Sequence, residues 1–292
     1  MTPFWNGRGK SMILRQPMNA VVVAHPDDEA LWLSSVVASV ERIVFGFGDV
    51  YGKPRKSESR RRAVAALPLR GTLNLAIPES GVEWQSYLAQ PDLNLQGVRI
   101  SEPAVRERYE SNHAKLLEGL RPALAGCQDV YTHNPWGEYG HPEHIQVYSA
   151  VTALQVELGY TVWFSNYVGA ENWTFVSNLA QRLNWARRRV VKPDIVTARA
   201  LMQVYRHHGA WTWNSGHRWP AEEILYAQPP RSSPEGLHLL SGEWLLDVGR
   251  LRWWRPPWLS PWRRLTHPGE ALAPDSSSNG RSVLRSSEDR RR

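Results

Sequence analysis

One short stretch, AVVVAHPDDEALW at residues 20–32, constrains the fold of this chain more than any other part of it. Its first five residues form an apolar run without polar alternation, which is typical of a parallel strand covered on both faces. A histidine and three acids follow directly, at the point where the strand should end. The acids repel one another, so the stretch either begins a solvated helix or surrounds something positively charged.

Short apolar runs alternate with helical patterns along most of the chain. We expect strands at 20–24, 43–47, 72–77, 129–133 and 161–167, and helices at 29–40, at 57–69 and beginning near 101, 145 and 198. Alternation of this kind predicts an α/β fold that is Rossmann-like and three-layered, with a mostly parallel sheet. Ligands of such sheets bind in the crevice beyond the carboxyl ends of the strands.

Two polar clusters, residues 25–29 and 133–144, follow the carboxyl ends of predicted strands and should meet in that crevice. His25 and Asp28 are three residues apart at a strand–helix turn, so their side chains can reach one point, and His144 can complete a triangle. Two imidazoles and one carboxylate suit a catalytic zinc ion that keeps a fourth position for water. Iron or cobalt would also fit this set of ligands.

Two further residues of these clusters are candidates for proton transfer. Asp27 is beside a predicted ligand but points differently, so it is placed to take a proton from water. His141 lies one helical turn before His144 and is expected to face the substrate. His133 and Asn134 end the fourth strand, where they either orient the ligands or make ordinary loop hydrogen bonds.

The paired motifs AHPDDE and YGHPEH resemble those of the LmbE-like, or PIG-L, family of zinc-dependent de-N-acetylases. The first motif matches at every position, and the resemblance extends from about Ala20 to Tyr226. The second motif usually reads His-Pro-Asp-His in the family, whereas Glu143 stands between the two histidines here. That position does not bind the metal in the family, so Glu143 is expected either to support a ligand or to be solvated.

The resemblance implies a role for each residue that matches the family motifs. It implies that His25, Asp28 and His144 bind Zn²⁺ and that Asp27 is the general base. It also implies that His141 stabilises the tetrahedral intermediate or protonates the leaving amine.

Other residues are candidates for contact with the substrate. Tyr139 matches a family tyrosine that donates to the oxyanion, with simple packing in its loop as the alternative. The family often has an arginine near the stretch SESRRR that reaches an anionic part of the substrate. Arg60 or Arg61 would fill that role here, unless both lie on a solvated helix face. Trp211 and Trp213 either offer flat faces to a sugar ring or pack against the domain.

Composition limits the classes of protein to be considered. Hydrophobic residues make up 42% of the 292 residues and charged residues 22%, as in ordinary soluble domains. The net charge of +7 comes largely from residues 250–292, so it indicates a solvated basic tail and no nucleic-acid partner. Cys127 is the single cysteine, and the sequence shows neither a signal peptide nor an apolar span, so we expect a cytoplasmic location.

Two regions are expected along the chain: a single LmbE-like deacetylase domain at 1–250 and a tail at 251–292. The tail begins with a segment rich in Trp, Arg and Pro, and we expect about its last 20 residues to be disordered. Trp and Arg favour peripheral contact with an anionic membrane on its cytoplasmic face. Packing of these tryptophans back onto the domain is the alternative.

The expected function is zinc-dependent removal of the N-acetyl group from an N-acetylated amino sugar, with release of acetate. The carrier of the sugar (a glycoconjugate, a glycolipid or a sugar nucleotide) and the oligomeric state are left open. One alternative is an amidase of the same mechanism that acts on a small-molecule conjugate or an antibiotic-like glycoside. Another is an inactive module that binds glycans or membranes, which is disfavoured because both motifs keep their chemically active residues.

Overall fold

The computed structural model of the chain describes residues 18–83, 92–169, 172, 175–176, 187–214, 217–228, 230, 243–247 and 262–265. Its strands are β1 (Met18–Val23), β2 (Arg42–Phe45), β3 (Thr72–Asn74), β4 (Leu93–Asn94), β5 (Gly97–Val98), β6 (Cys127–Thr132), β7 (Thr161–Ser165), β8 (Tyr167–Val168), β9 (Arg187–Val191), β10 (Glu223–Gln228), β11 (Glu243–Asp247) and β12 (Trp262–Leu265). Its α-helices are α1 (Asp28–Trp32), α2 (Pro54–Ala65), α3 (Pro103–Leu124), α4 (Gly137–Gly140), α5 (Pro142–Leu158) and α6 (Ile195–His207).

The main sheet has the strand order β3-β2-β1-β6-β7-β10-β9 among the described residues. Its first five strands are parallel, since β1 pairs in parallel with β2 and β6, β2 with β3, and β6 with β7. β10 runs antiparallel to both of its neighbours. The α/β class with a mostly parallel sheet is therefore confirmed, whereas the antiparallel edge comes from strands that were not predicted.

Helices cover both faces of the sheet, because successive side chains of a strand point to opposite sides. In β1, Ala20 and Val22 pack with residues of α3 and α5, whereas Val21 and Val23 pack with residues of α1, α2 and α6. All four side chains are fully buried. This arrangement produces the three layers that were expected, and it explains why the apolar run lacks polar alternation.

Several element boundaries differ from those predicted. Helix α1 does not fill residues 29–40, because Leu33 leaves the helical conformation with a φ of −136° and is followed by serines and β-branched valines. Helix α2 begins earlier than predicted, at Pro54, whose fixed φ suits the first turn of a helix. The strand predicted at 161–167 is divided between β7 in the main sheet and β8 in a second sheet.

The second sheet, of order β12-β11-β8, includes part of the C-terminal region. β11 pairs in parallel with β8 and antiparallel with β12. β12 lies within the predicted tail, and the rest of 251–292, including its predicted disordered end, lies outside the described residues. Among the helices that the structure describes, none is both long enough and apolar enough to cross a bilayer.

Candidate metal centre and active site

The candidate site lies where the strand order of the main sheet reverses. The chain runs from β1 outward to β2 and β3 on one side, and β6 lies beside β1 on the other. The loops that follow β1 and β6, residues 24–27 and 133–136, therefore leave the sheet next to each other. A crevice at such a reversal is the usual ligand site of open parallel sheets. The two polar clusters meet there, as the sequence predicts.

Asp28 is the common neighbour of the two histidines that were predicted to bind metal. Its Oδ2 lies 3.2 Å from Nδ1 of His25 and 3.3 Å from Nε2 of His144. Two atoms that bind one zinc ion tetrahedrally at about 2.0–2.1 Å lie about 3.3–3.4 Å apart. Both distances are close to that value, so Asp28 could share an ion with either histidine.

The donor nitrogen of His144 makes no hydrogen bond in the described part of the structure, although the Asp28 carboxylate lies 3.3 Å away. Nε2 of His144 is buried and has no hydrogen-bond partner among the described residues. A buried polar atom without a partner raises the free energy of the folded state, and coordination of a cation would remove that penalty. Together with the nearby Asp28 carboxylate, this nitrogen suits a divalent cation such as zinc.

Two overlapping groups of possible donor atoms share His144, and the atoms within each group lie within 4.8 Å of one another. They are His25 with His141 and His144, and Asp28 with His133 and His144. His133 is already engaged, because its Nε2 accepts a hydrogen bond from the Ala24 N–H at 2.8 Å and its Nδ1 lies 3.0 Å from Glu138. Both ring nitrogens of His133 are therefore occupied by contacts within the protein, and we do not count His133 among the metal ligands.

Each of the two imidazoles beside Asp28 contacts a buried glutamate through its other ring nitrogen. Oε2 of Glu138 lies 2.6 Å from Nδ1 of His144, and Oε2 of Glu143 lies 2.9 Å from Nε2 of His25. Glu143 in turn accepts hydrogen bonds from the backbone N–H and the hydroxyl of Ser80, at 2.7 and 2.8 Å. Such carboxylates fix the tautomer and orientation of metal-binding histidines. Glu143 is thus buried against His25 and is not solvated.

Glu138 is a residue of the site that the sequence analysis missed. The oxygen that contacts His144 also contacts His133, and the two imidazole rings are stacked with centroids 3.9 Å apart. Burial alone would raise the pKa of Glu138, but the neighbouring imidazoles hold it at about 2. The backbone of Glu138 has a left-handed φ of 54°, which is uncommon outside glycine. The one available signal was an acid in a glycine-rich loop close to two histidines.

Asp27, the predicted general base, is buried and held by a distant loop. Its Oδ2 accepts hydrogen bonds from the backbone N–H and the hydroxyl of Thr212, at 2.8 and 2.7 Å. Burial and the charge of Asp28 raise the pKa of Asp27 to about 7. A carboxyl group with a pKa near neutrality is well suited to accept and return a proton.

His141 and Tyr139 both line the cavity beside Asp28. His141 is the N-cap of α5, where its Nδ1 accepts a hydrogen bond from the Glu143 N–H at 3.2 Å. The neutral ring therefore carries its proton on Nε2. The His141 ring is stacked on that of His144, with centroids 4.5 Å apart. His141 therefore caps α5 and lines the cavity at the same time.

The cavity has a volume of about 490 Å³, which is in the usual range for small-ligand sites. Its aromatic lining residues are Tyr139, Trp211 and Trp213. Its basic lining residues are Lys53, Lys56 and Arg60. Both tryptophans that were predicted to contact the substrate are therefore part of the cavity wall.

The structure places the two candidate arginines differently. Arg60 is buried and lines the cavity, and its Nη1 donates a hydrogen bond to Oε1 of Glu79 at 2.6 Å. Arg61 is exposed and lies outside the cavity lining, where it pairs with Asp49 at 2.6 Å and with Glu58 at 3.1 Å. Of these two residues, only Arg60 lines the cavity.

Residues 20–155 match the family model described as PIG-L: GlcNAc-PI de-N-acetylase. These residues carry a PIG-L family domain. Both motifs of the PIG-L domain fall inside the matched residues, whereas Trp211 and Trp213 lie beyond them. No curated protein matches the chain at a significant level.

Solved structures with similarity to the chain include two deacetylase structures and that of a conserved bacterial protein. The zinc-inhibited form of teicoplanin deacetylase has a TM-score of 0.48 and 13% identity, with 74% of this chain and 100% of that chain covered. A deacetylase of the teicoplanin biosynthesis pathway has a TM-score of 0.47 and 14% identity, with 74% and 100% covered. A conserved protein of Thermus thermophilus has a TM-score of 0.37 and 18% identity, with 65% and 80% covered.

Within the PIG-L domain, Glu138→Gln is expected to weaken zinc binding by about 10- to 100-fold, the usual effect of losing a carboxylate that orients a metal-binding histidine. The amide oxygen cannot replace the charge that both imidazoles share. Competition with a chromophoric chelator would measure the affinity. The matched control is Glu223→Gln, because Glu223 is a buried acid that accepts a hydrogen bond from Tyr167 and lies outside the cavity lining. Equal zinc affinity in the two variants would show that Glu138 does not orient His144.

Proposed function

We propose that the protein is a zinc-dependent hydrolase that removes the acetyl group from an N-acetylated amino sugar. The observation that carries the proposal is the convergence of His25 and His144 on Asp28 within a PIG-L family domain. Zn²⁺ held by these three residues would polarise the amide carbonyl and make a neighbouring water molecule easier to deprotonate.

In this reaction Asp27 accepts a proton from water. Its Oδ2 is held by Thr212, and its Oδ1 makes no hydrogen bond to a described residue, so Oδ1 is available for the proton. The Nε2–H of His141 and the hydroxyl of Tyr139 donate to the negative charge that develops on the carbonyl oxygen. The proton that Asp27 removes from water balances the proton that the leaving amine requires. The products are acetate and the free amino sugar.

The test is acetate release from a panel of N-acetylated amino sugars, comprising a free sugar, a sugar phosphate, a nucleotide sugar and a glycolipid. We expect turnover of at least one member, its loss on chelation and its recovery when zinc is returned. An N-acylated antibiotic glycoside in the same panel tests the alternative amidase. Stoichiometric zinc without turnover of any member would contradict the proposal, and tight glycan binding in that case would favour an inactive binding module.

The charge of the cavity favours an anionic conjugate of the sugar. Lys53 and Lys56 line the cavity, and neither forms an ion pair with a carboxylate of the described residues. Arg60, by contrast, is paired with Glu79. The two lysines are three residues apart, so they lie on one side of the beginning of α2. We therefore assign to these lysines the contact with an anionic group that was first expected of an arginine.

The double variant Lys53→Gln/Lys56→Gln is expected to lose about 10-fold of its preference for a phosphorylated sugar, since two exposed contacts with phosphate contribute on the order of 1–2 kcal/mol. The measured quantity is kcat/KM for N-acetylglucosamine 1-phosphate divided by kcat/KM for the neutral methyl glycoside. The control is Arg55→Gln/Arg62→Gln, which removes two exposed charges from the same helix outside the cavity lining. An equal preference in both double variants would contradict the assignment.

A further inference from the structure

We infer that Thr212 is a positioning residue that orients Asp27 and couples it to the loop that contacts the substrate. The inference rests on the proposed function, because it concerns the reaction in which Asp27 is the base. Thr212 lies 185 residues from Asp27 in the sequence and outside both motifs. It is also outside the residues that match the PIG-L family model.

The contact between Thr212 and Asp27 fixes one carboxylate oxygen. Both donors of Thr212, its backbone N–H and its hydroxyl, reach the same Oδ2 of Asp27 at 2.8 and 2.7 Å. Two donors hold the position of this oxygen more closely than a single hydrogen bond would. Oδ1 of Asp27 has no hydrogen-bond partner among the described residues. Thr212 therefore holds one oxygen of Asp27, and the other oxygen is available to accept a proton.

The backbone of Asp27 shows why this side chain needs an external support. Its φ is 115°, and residues in such sparsely populated conformations persist only where their surroundings hold them in place. On the main-chain side, the carbonyl of Asp27 accepts the N–H groups of Ala30 and Leu31 at 3.2 and 3.1 Å. On the side-chain side, the hydrogen bonds to Asp27 come from Thr212.

The loop that carries Thr212 also forms part of the cavity wall. Thr212 and its neighbours Trp211 and Trp213 all line the cavity. The ring of Trp213 lies 5.2 Å from that of Tyr139 and 5.3 Å from that of Trp32, measured between centroids. A sugar that packs against these tryptophans therefore contacts the same short loop that orients the base. A shift of this loop would change the orientation of the Asp27 carboxylate.

The first experiment compares Thr212→Val with Thr212→Ser. The valine variant keeps the shape and the backbone donor but loses the hydroxyl, so kcat should fall by about 10- to 100-fold, as expected for a lost hydrogen bond to a charged group. KM should change by less than about 3-fold, and serine should restore most of the activity. The matched control is Thr152→Val, which removes a hydroxyl that donates to the Tyr148 carbonyl in α5. An unchanged kcat in Thr212→Val would overturn the inference.

The second experiment asks whether Thr212 acts through Asp27. In an Asp27→Asn background, Thr212→Val should reduce the residual activity by less than about 2-fold, because the group that it orients is already absent. A reduction as large as in the wild-type background would overturn the inference. Crystal structures of Thr212→Val and wild type provide a test that needs no turnover. We expect the Asp27 carboxylate to rotate in the variant, and an unmoved carboxylate would contradict the inference even if no panel substrate were hydrolysed.

Discussion

Asp28→Ala is expected to purify without zinc and without turnover. Oδ2 of Asp28 is the atom that lies next to both His25 and His144, so its loss removes the centre of the ligand set. Four-ligand zinc sites gain about 10–16 kcal/mol in total, so one ligand accounts for about 2.5–4 kcal/mol, or about 60- to 700-fold in affinity. Elemental analysis of the purified protein and chelator competition would measure the loss.

Two further variants keep that result interpretable. Asp28 also accepts hydrogen bonds from the Trp32 indole N–H and the His25 backbone N–H, so alanine removes structural contacts as well as a charge. Asp28→Asn keeps the shape of the side chain and should still bind zinc much more weakly than wild type. Asp49→Ala, which removes a carboxylate outside the cavity lining, should bind zinc normally. Stoichiometric zinc in Asp28→Ala would show that the ligand assignment is wrong.

Asp27→Asn is expected to keep its zinc and to lose most of its turnover. The amide cannot accept a proton from water, and general-base catalysis contributes about 100- to 10,000-fold to rates. The side chain has nearly the same shape, and its oxygen can still accept the two hydrogen bonds from Thr212. The measurement is kcat for acetate release on samples whose zinc content has been determined.

Asp27 and Asp28 are adjacent, so their variants control for each other. Both carboxylates are buried in the same turn, and general damage to the turn would reduce zinc and turnover together. Opposite effects on zinc content would separate the base from the ligand. If Asp27→Asn lost its zinc, Asp27 would have to be counted among the ligands. If it kept full turnover, another residue would have to be the base.

Sequence patterns predicted the sheet and the meeting of the two clusters because both follow from local rules. The apolar run in β1 and the charged residues after it are contiguous, and parallel strands bring their carboxyl ends to one edge. The side of a helix on which each residue lies was harder to predict from the sequence. Arg60 and Arg61 are adjacent in sequence, and only the packing of α2 shows that Arg60 turns inward to Glu79 while Arg61 turns outward to Asp49.

The supporting residues were not predictable, because their roles depend on tertiary contacts. Thr212 is an ordinary threonine in a loop until the fold brings it to Asp27. Glu138, which has a positive φ, supports His144 through a contact that only the fold creates. Ser35, which follows α1, likewise donates a hydrogen bond to Glu223 on a strand far along the chain.

The two halves of the candidate metal centre come from distant parts of the sequence, with His25 and Glu143 separated by 118 residues. An ion shared by the loops after β1 and β6 would act as a removable cross-link across the middle of the sheet. Because the unfolded chain holds no such preformed site, binding of the ion would add directly to the stability of the native state. Resistance to heat would then depend on how much metal is supplied, even in a variant that has lost all catalytic activity.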